Sequence, residues 1–394
     1  MSTENNPLVS VIVPARNEQA CLALCVESLV VQTGIDFEII IVDDASTDRT
    51  AEIARSFSDR DLNISPDEGV RGYASRAGTD AWRSTDYVGA DALVRPRPAR
   101  LSPDDRIMPR VTVLSAEPLP DNWTGKNNAM SAGAKIAKAK WLLFTDADTV
   151  HKPGSLARAV AEAEQHGAAL LSYSPEQEVH SFWEKAVMPV IFAELAATYP
   201  PEAVNDPASS IAAANGQYLL ISREAYDAVG GHAAIAGNLL EDVALARLVK
   251  SSGRKLFFRY GGDAVRTRMY RSWSQMKEGW TKNLALLFPK PRTLAVLRMA
   301  EFLLIVGNLC TAIWATLSGK PNLALQTALL TIILSGWFAM RIRKPHFPAL
   351  SSLTSIFGLP VFSYLLSRSV SLQRNGGIRW KGREYLGYRS TATM

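Results

Sequence analysis

Trp141-Leu142-Leu143-Phe144-Thr145-Asp146-Ala147-Asp148 decides how this chain is read. Four apolar residues run directly into two carboxylates separated by one alanine. A short unbroken apolar run is the pattern of a strand buried on both faces of a parallel sheet. The carboxylates then stand at the strand's carboxyl end, where open α/β sheets place their ligands. Two carboxylates this close repel each other unless a cation or donor groups neutralise them. A divalent cation carrying a diphosphate does so, because Mg²⁺ is commonly held by one or two carboxylates plus phosphate oxygens. A solvated acidic turn is the plain alternative, and Asp-x-Asp alone does not separate the two.

The neighbouring segments supply the rest of an α/β sheet. Val9-Ser10-Val11-Ile12-Val13-Pro14 is a β-branched run ended by proline, followed by the loop Ala15-Arg16-Asn17-Glu18. Leu22, Val26, Leu29 and Val30 recur at helical spacing between Gln19 and Gln32. Phe37 to Val42 reads as a second buried strand and runs into Asp43-Asp44-Ala45-Ser46-Thr47-Asp48. A helix from Thr50 to Phe57 follows, with Ser46, Thr47 or Asp48 as its cap. Strand, helix, strand, acidic turn and helix make a βαβ unit, so the sheet is expected to be mostly parallel and doubly wound. Ser58 to Arg110 is rich in Arg, Asp, Gly and Pro, lacks periodicity and is read as a poorly ordered insertion.

Beyond it the sequence predicts an edge strand at Val111–Leu114, a loop from Pro118 to Asn127, and an Ala-rich helix from Ala129 to Ala139. A helix from Pro153 to His166 and a strand from Ala168 to Ser174 come next. Phe182 to Tyr199 is apolar and aromatic with three charges, and two readings stand: a helix on a membrane surface or a core helix. A strand ending at Ile221, a short helix stopped by Gly230-Gly231, a helix opened by Glu241-Asp242 and a last strand at Lys255–Arg259 complete the series.

The 394 residues carry a net charge of +5 and are 47% hydrophobic, with the long apolar runs gathered in the last third. No basic helix interleaved with aromatics is present, so nucleic acid ranks last among partners. Cys21, Cys25 and Cys310 offer no zinc spacing and are expected as reduced thiols. The short polar start, Met1 to Pro7, does not read as a signal peptide, which leaves the first domain in the cytoplasm. Phe302–Ser318, Leu323–Met340 and Ala349–Ser367 are apolar for roughly the length that spans a bilayer. The basic loop Arg341-Ile342-Arg343-Lys344 is expected on the cytoplasmic side. The third segment either crosses or, broken by Gly358 and Pro360, re-enters and returns the basic tail to the cytoplasm. The expected organisation is a cytoplasmic domain over residues 1–290, a multi-pass membrane region over 291–372 and a basic tail over 373–394, placed in the cell (inner) membrane.

Three acidic pairs recur at strand ends or helix starts: Asp43/Asp44, Asp146/Asp148 and Glu241/Asp242. Together they supply parts for chemistry on a nucleotide-activated substrate. One carboxylate accepts from a base or ribose, one holds a metal on the diphosphate, and one deprotonates an acceptor hydroxyl. These residues resemble the family 2 inverting glycosyltransferases of the GT-A fold. The resemblance runs over most of Val9 to Asn283. Val11 to Glu18 is similar to the family's opening strand and loop, which implies Pro14, Arg16 and Glu18 at the nucleotide. Val42 to Asp48 resembles the second motif and implies Asp44 on the uracil. Thr145 to Asp148 resembles the Asp-x-Asp motif and implies Asp146 near ribose and sugar, with Asp148 on Mn²⁺ or Mg²⁺. Leu240-Glu241-Asp242-Val243 resembles the Glu-Asp motif, placing Glu241 in the site and making Asp242 the catalytic base.

A narrower resemblance rests on Trp123 to Asn127, Gly230-Gly231-His232, Thr267 to Tyr270, Gly279-Trp280 and Trp380 to Arg383. These are similar to bacterial membrane-bound members that glycosylate polyisoprenoid lipids, carotenoid acids or hopanoid-associated lipids among them. The implied partners are a nucleotide-sugar donor, a UDP-sugar first, and a lipid acceptor. Lys126 or Arg268 is expected to stabilise the diphosphate and Gly231 to line the site. His232 is a candidate acceptor contact, Trp273 and Trp280 are candidate interfacial anchors, and His151 and His180 are expected at the surface or as caps. The Gln-x-x-Arg-Trp signature of processive members is missing, since Gln275 to Trp280 lacks the arginine; Arg379-Trp380 fills that role only with a cytoplasmic tail. A polyprenyl-phosphate or polysaccharide glycosyltransferase using a UDP- or GDP-sugar is the alternative enzyme. A nucleotidyltransferase would want a Gly-rich basic loop after the first strand, which is not there. A membrane-anchored binding protein with an inactive site is the alternative outside enzymes.

Overall fold

The structure, a computed structural model, describes residues 6–58, 109–374, 377–380 and 382–386. The 58–110 insertion therefore lies, apart from its two ends, outside the described residues. The chain forms two compact units: Met1–Pro175 with Ala214–Ala236 and Tyr260–Arg266, and Glu176–Ala213 with Gly237–Arg259 and Thr267–Met394. The second unit thus gathers segments from within the expected 1–290 domain together with the C-terminal helices.

The first unit is built on six neighbouring strands: β1 (Val9–Ala15), β2 (Phe37–Asp43), β3 (Arg110–Ser115), β4 (Trp141–Phe144), β5 (Leu170–Ser174) and β6 (Leu219–Ser222). Their order is β3-β2-β1-β4-β6-β5. β1 pairs in parallel with β2, Val9 opposite Phe37, and with β4, Val9 opposite Trp141, while β3 is parallel to β2. β6 runs antiparallel to both of its neighbours. The sheet is therefore mixed, with the parallel half carrying the acidic turns. Every residue of β4 and all of β1 except Pro14 are buried, as their unbroken apolar runs imply.

Helix α1 (Leu22–Val30) follows β1 and α2 (Thr50–Ser58) follows β2. Helix α3 (Gly125–Ile136) starts earlier than the Ala-rich run suggests, because Thr124 caps it by accepting a hydrogen bond from the Asn127 amide. This makes Lys126 a first-turn helix residue. Helix α4 is Ser155–His166. Where α3 crosses β1 and β2, a Cβ on Gly133 would stand 2.6 Å from Ile12 Cγ2 and 3.2 Å from Val42 Cγ2. Gly133→Ala is expected to lower stability by about 1–2 kcal/mol, since overpacking outweighs the helix-propensity gain of up to about 1 kcal/mol. A fall in Tm on thermal unfolding checks it.

The second unit contains α5 (Phe182–Thr198), α6 (Glu241–Ser251), α7 (Trp273–Leu287), α8 (Pro291–Leu317), α9 (Pro321–Ile342) and α10 (Gly358–Arg374). Helices α8 and α9, and the segment Ser351–Arg374, are long and apolar enough to cross a membrane. Of the two readings of Phe182–Tyr199, the structure supports the core helix. Ala186 to Ile191, Ala193 and Glu194 are buried in a cluster with Trp280, Leu284, Phe338, Ile342 and Phe362. Trp280 is accordingly a core residue that donates to Met188 Sδ, not an interfacial anchor. The described residues end in an antiparallel hairpin, Gly377–Trp380 with Arg383–Leu386.

Candidate active site

The loops after β1 and β2 are knitted together by short polar side chains. Asn17 Oδ1 accepts from the Thr47 amide at 2.8 Å, and the Asn17 amide donates to Ser46 Oγ at 3.1 Å. The Glu18 amide donates to Thr50 Oγ1 at 2.7 Å and the Gln19 amide to Asp48 Oδ2 at 3.2 Å. Burial pushes the Asp48 carboxyl up, but the hydroxyl and amide of Thr50 and the Gln19 amide outweigh it and hold the group below the usual carboxylate range. Arg16 Nη1 donates to the carbonyls of Asp44 at 2.5 Å and Ala45 at 3.0 Å. Asn17 and Ala45 sit at φ of +54° and +53°. Such backbone is costly for residues with a Cβ and persists where neighbours over-determine it. Asp43 and Asp44 are both buried at this join.

Asp146 and Asp148 lie half-buried just past β4. Lys126 Nζ pairs with Asp146 Oδ1 at 2.7 Å, so the first turn of α3 and the acidic turn share a charge. A buried polar knot holds that turn from below. Thr145 Oγ1 donates to Gln217 O at 2.8 Å and lies 2.9 Å from Thr149 Oγ1 and 3.1 Å from His151 Nε2. Thr149 Oγ1 also reaches Asp146 O at 2.7 Å, and the thiol of Cys25 lies 3.7 Å from both. Burial drives that thiol up to about 12, so Cys25 is an inert packing residue; all three cysteines are free. His151 departs from its expected place at the surface: it is buried, and burial lowers its pKa to about 3. A group held neutral in the fold but protonated when unfolded costs stability as pH falls from about 6.5 towards 3. Tm is expected to drop along that acid limb, and His151→Gln to flatten the drop.

The candidates beyond β6 are placed as follows. Gly231 is buried at φ +53°, and a Cβ there would stand 2.4 Å from the Tyr226 ring, so packing alone requires glycine. His232 is buried against Phe144, its ring centroid 4.6 Å away, with Nδ1 hydrogen-bonded to the Tyr226 hydroxyl at 2.9 Å. It is a core histidine, not an acceptor contact. His180 is exposed as expected.

In the second unit, Glu241 and Asp242 open α6, where the helix's exposed amides favour negative charge. Asp242 Oδ1 accepts from the Val243 amide at 2.8 Å. Asp242 and Arg247 both act on the half-buried Tyr199 hydroxyl: burial raises it, Arg247 lowers it, Asp242 raises it. That hydroxyl donates to Leu287 O at 2.6 Å. Lys250, at the other end of α6, donates to the carbonyls of Val204 at 2.7 Å and Ile211 at 2.5 Å, fastening the helix that presents Asp242. Arg268 Nη2 donates to Glu184 Oε1 at 3.2 Å. Burial pushes Glu184 up, yet the His180 amide, Arg268 and Ser181 outweigh it and keep the carboxylate ionised.

Residues 10–76 match the family described as Glycosyl transferase family 2, and residues 105–278 match the one described as Glycosyltransferase like family 2, together more than half of the chain. The chain belongs to glycosyltransferase family 2. This family 2 transferase is similar to 4,4'-diaponeurosporenoate glycosyltransferase of Staphylococcus aureus strain USA300, 23% identical over 399 residues that span 97% of the chain and 89% of that relative. The protein of strain MRSA252 is 24% identical over 395 residues, with the same coverage. Among solved structures it resembles the mannosyltransferase PcManGT of Pyrobaculum calidifontis in complex with GDP-Man and Mn²⁺, at 16% identity and TM-score 0.46, over 94% of this chain and 87% of that one.

The transferase's sheet, flanked by helices, is of the α/β class expected from its sequence. Among the described residues, no three His, Cys, Asp or Glu side chains group as a self-sufficient metal site. The donor set that is present, two half-buried carboxylates on one turn, fits the lesser demand of a cation shared with a diphosphate. Thr145, Thr149 and His151 brace this turn, and sequence reasoning gave Thr149 and His151 no part in it and Thr145 none beyond its place in the motif. The hydroxyls' spacing around Asp146 and Asp148 was the available signal.

Proposed function

We propose that this family 2 transferase is membrane-bound and moves a sugar from a nucleotide-sugar, a UDP-sugar first, to a lipid acceptor. The observation that carries the reading is the acidic turn: Asp146 and Asp148 at the end of buried β4, Lys126 paired to Asp146, and the knitted Arg16–Asp44 loops on the same sheet. Asp44 is the acceptor for the base and Asp146 for ribose and sugar. Asp148 would hold Mn²⁺ or Mg²⁺, which when bound neutralises charge on the diphosphate. Lys126 adds a cation on the same side; Arg268 keeps to Glu184. Asp242 accepts the proton of an acceptor hydroxyl, or orients an acceptor carboxylate, and that oxygen displaces the nucleoside diphosphate with inversion at the anomeric carbon. Support for a lipid acceptor comes from the apolar helices α8 and α9 and from the relative named for its action on diaponeurosporenoate, a carotenoid acid.

The test is thermal unfolding of the detergent-solubilised full chain with UDP, GDP or CDP, with and without Mn²⁺. A ligand that binds only the folded form at 100 times its Kd adds about 2.7 kcal/mol. UDP with Mn²⁺ is expected to raise Tm, and Asp148→Ala to abolish the Mn²⁺-dependent part. No shift with any nucleotide, or a Mn²⁺-dependent shift retained in Asp148→Ala, overturns the donor and metal assignments.

A further inference from the structure

We propose that the third membrane-length segment, Ser351–Arg374, does not cross the membrane but lies on its surface, its exposed rings seated among the headgroups of an anionic lipid layer. The inference rests on the membrane-bound reading above and fixes how the second unit meets lipid.

The three apolar segments are not alike. In α8 and α9 only 11% of the most apolar window is buried, against 44% in Ser351–Arg374. Helices α8 and α9 wear exposed large apolar residues along most of their length, from Val296 and Leu297 to Leu317 and from Leu323 to Met340. That is a coat for surrounding hydrocarbon. The third segment exposes Leu353, Phe357 and Tyr364, then Ser367, Arg368, Ser371 and Arg374. A three-residue helical turn, Ser355–Phe357, interrupts it before α10. Leu359, Phe362, Leu365 and Leu366, on the opposite face, are fully buried in protein.

What buries them settles the side. A Cβ on Gly358 would stand 1.9 Å from Ala186 O, so α10 starts pressed onto the backbone of α5. The Phe362 and Phe288 rings meet at 6.0 Å, and Ser369 Oγ accepts from the Ala285 amide of α7 at 2.9 Å. From Gly358 to Ser369 the helix rises about 16 Å, at 1.5 Å per residue. Over that length it is fastened to α5 and α7, which both precede the first crossing, and it also runs along α8. Helix α7 carries Gln275, Lys277, Glu278, Lys282 and Asn283 and is no candidate for a crossing. A segment laid along α7 stays where α7 is. The strand Gly377–Trp380 also lies against α7 and α10.

Where this segment begins, four exposed rings meet. Phe182 and Trp183 lie 5.2 Å apart, Trp183 and Trp273 5.2 Å, and Phe182 and Phe357 6.3 Å. Three different segments of the unit contribute them, and each ring is between 36% and 53% exposed. Arg271, two residues before Trp273, and Arg368 and Arg374 of α10 are exposed. Aromatic rings continuous with an apolar stripe, bordered by arginines, suit the headgroup region of an anionic bilayer. Two crossings then remain, and the tail ends on the side of α5 and α7.

Full-length variants with one added cysteine test this in cells, with Cys21, Cys25 and Cys310 replaced by alanine. Lys320→Cys is expected to react with an impermeant maleimide on intact cells, whereas Lys344→Cys and Arg374→Cys should react only after permeabilisation. Labelling of Arg374→Cys on intact cells overturns the inference. Failure of Lys320→Cys to label on intact cells, with labelling after permeabilisation, overturns the membrane reading itself. A spin label at Tyr364→Cys in vesicles of anionic lipid should be reached by both oxygen and a nickel chelate. Oxygen alone would mean a crossing, and neither would mean that protein covers the face. If the cysteine-free chain does not accumulate, a phosphatase fused after Met394 of the unaltered chain gives the same decision: inactive as proposed, active if wrong.

Discussion

Replacing Asp242 by asparagine is expected to lower sugar transfer by about 10²–10⁴-fold while UDP binding survives. Asparagine keeps the size and the acceptor oxygen that takes the Val243 amide at the first turn of α6, so the helix start is retained. What it loses is the ability to take a proton. Helix α6 is anchored far from that turn, by Lys250 on Val204 and Ile211. The fold therefore has no reason to respond, and Tm should change little. The readout is turnover against UDP-dependent stabilisation in one preparation: kcat falls and the UDP shift stays. Full activity in Asp242→Asn would remove the residue from the base role. Loss of both activity and nucleotide binding would make it a binding residue instead.

The acidic turns were legible because their cause is local. A buried strand four to seven residues long has little room for polar residues beyond paired ones such as Ser10 and Glu38, so the apolar run ends where the strand ends, and whatever follows is presented at the sheet's edge. Trp141–Phe144 and Phe37–Val42 behave this way. Direction was less legible: Leu219–Ser222 is as apolar as its neighbours, and nothing in four residues tells that it runs antiparallel. His151, His232 and Trp280 were misplaced for one reason. A polar or amphipathic side chain looks like a surface group until the partner that satisfies it is known: Tyr226 and Met188 were not singled out, and Thr145 was read only as part of the acidic motif. The same distance hid the partners of Glu184 and Glu194, which made Phe182–Tyr199 look amphipathic when both carboxylates in fact turn inward to arginines.

Glu194 leads to the largest stability effect. Its side chain is 5% exposed and ties three helices together. Arg298 of α8 approaches Glu194 Oε1 at 2.9 Å through Nε and donates to Glu301 Oε2 at 2.8 Å. Arg341, at the end of α9, donates to the two Glu301 oxygens at 3.0 and 2.7 Å, and its Nε lies 3.5 Å from Glu194. Two glutamates and two arginines balance, which is why four charges can sit among apolar helices. Arg341, expected as the start of a basic loop, falls in the last turn of α9 instead and is held inside this quartet. Glu194→Ala leaves two guanidiniums sharing one carboxylate in a poorly solvated place. Removing one partner of a buried pair costs about 3–5 kcal/mol, and the remaining Glu301 and partial exposure of the arginines put this case at about 3 kcal/mol. Because the strain comes from the uncompensated charge, Arg341→Met in the Glu194→Ala background should recover part of the loss, giving a double variant more stable than the sum of the singles predicts. Thermal inactivation in one detergent, for the two singles and the double, measures this. Strict additivity would mean that the quartet is four separate surface charges and that α5 is held to α8 and α9 by apolar packing alone.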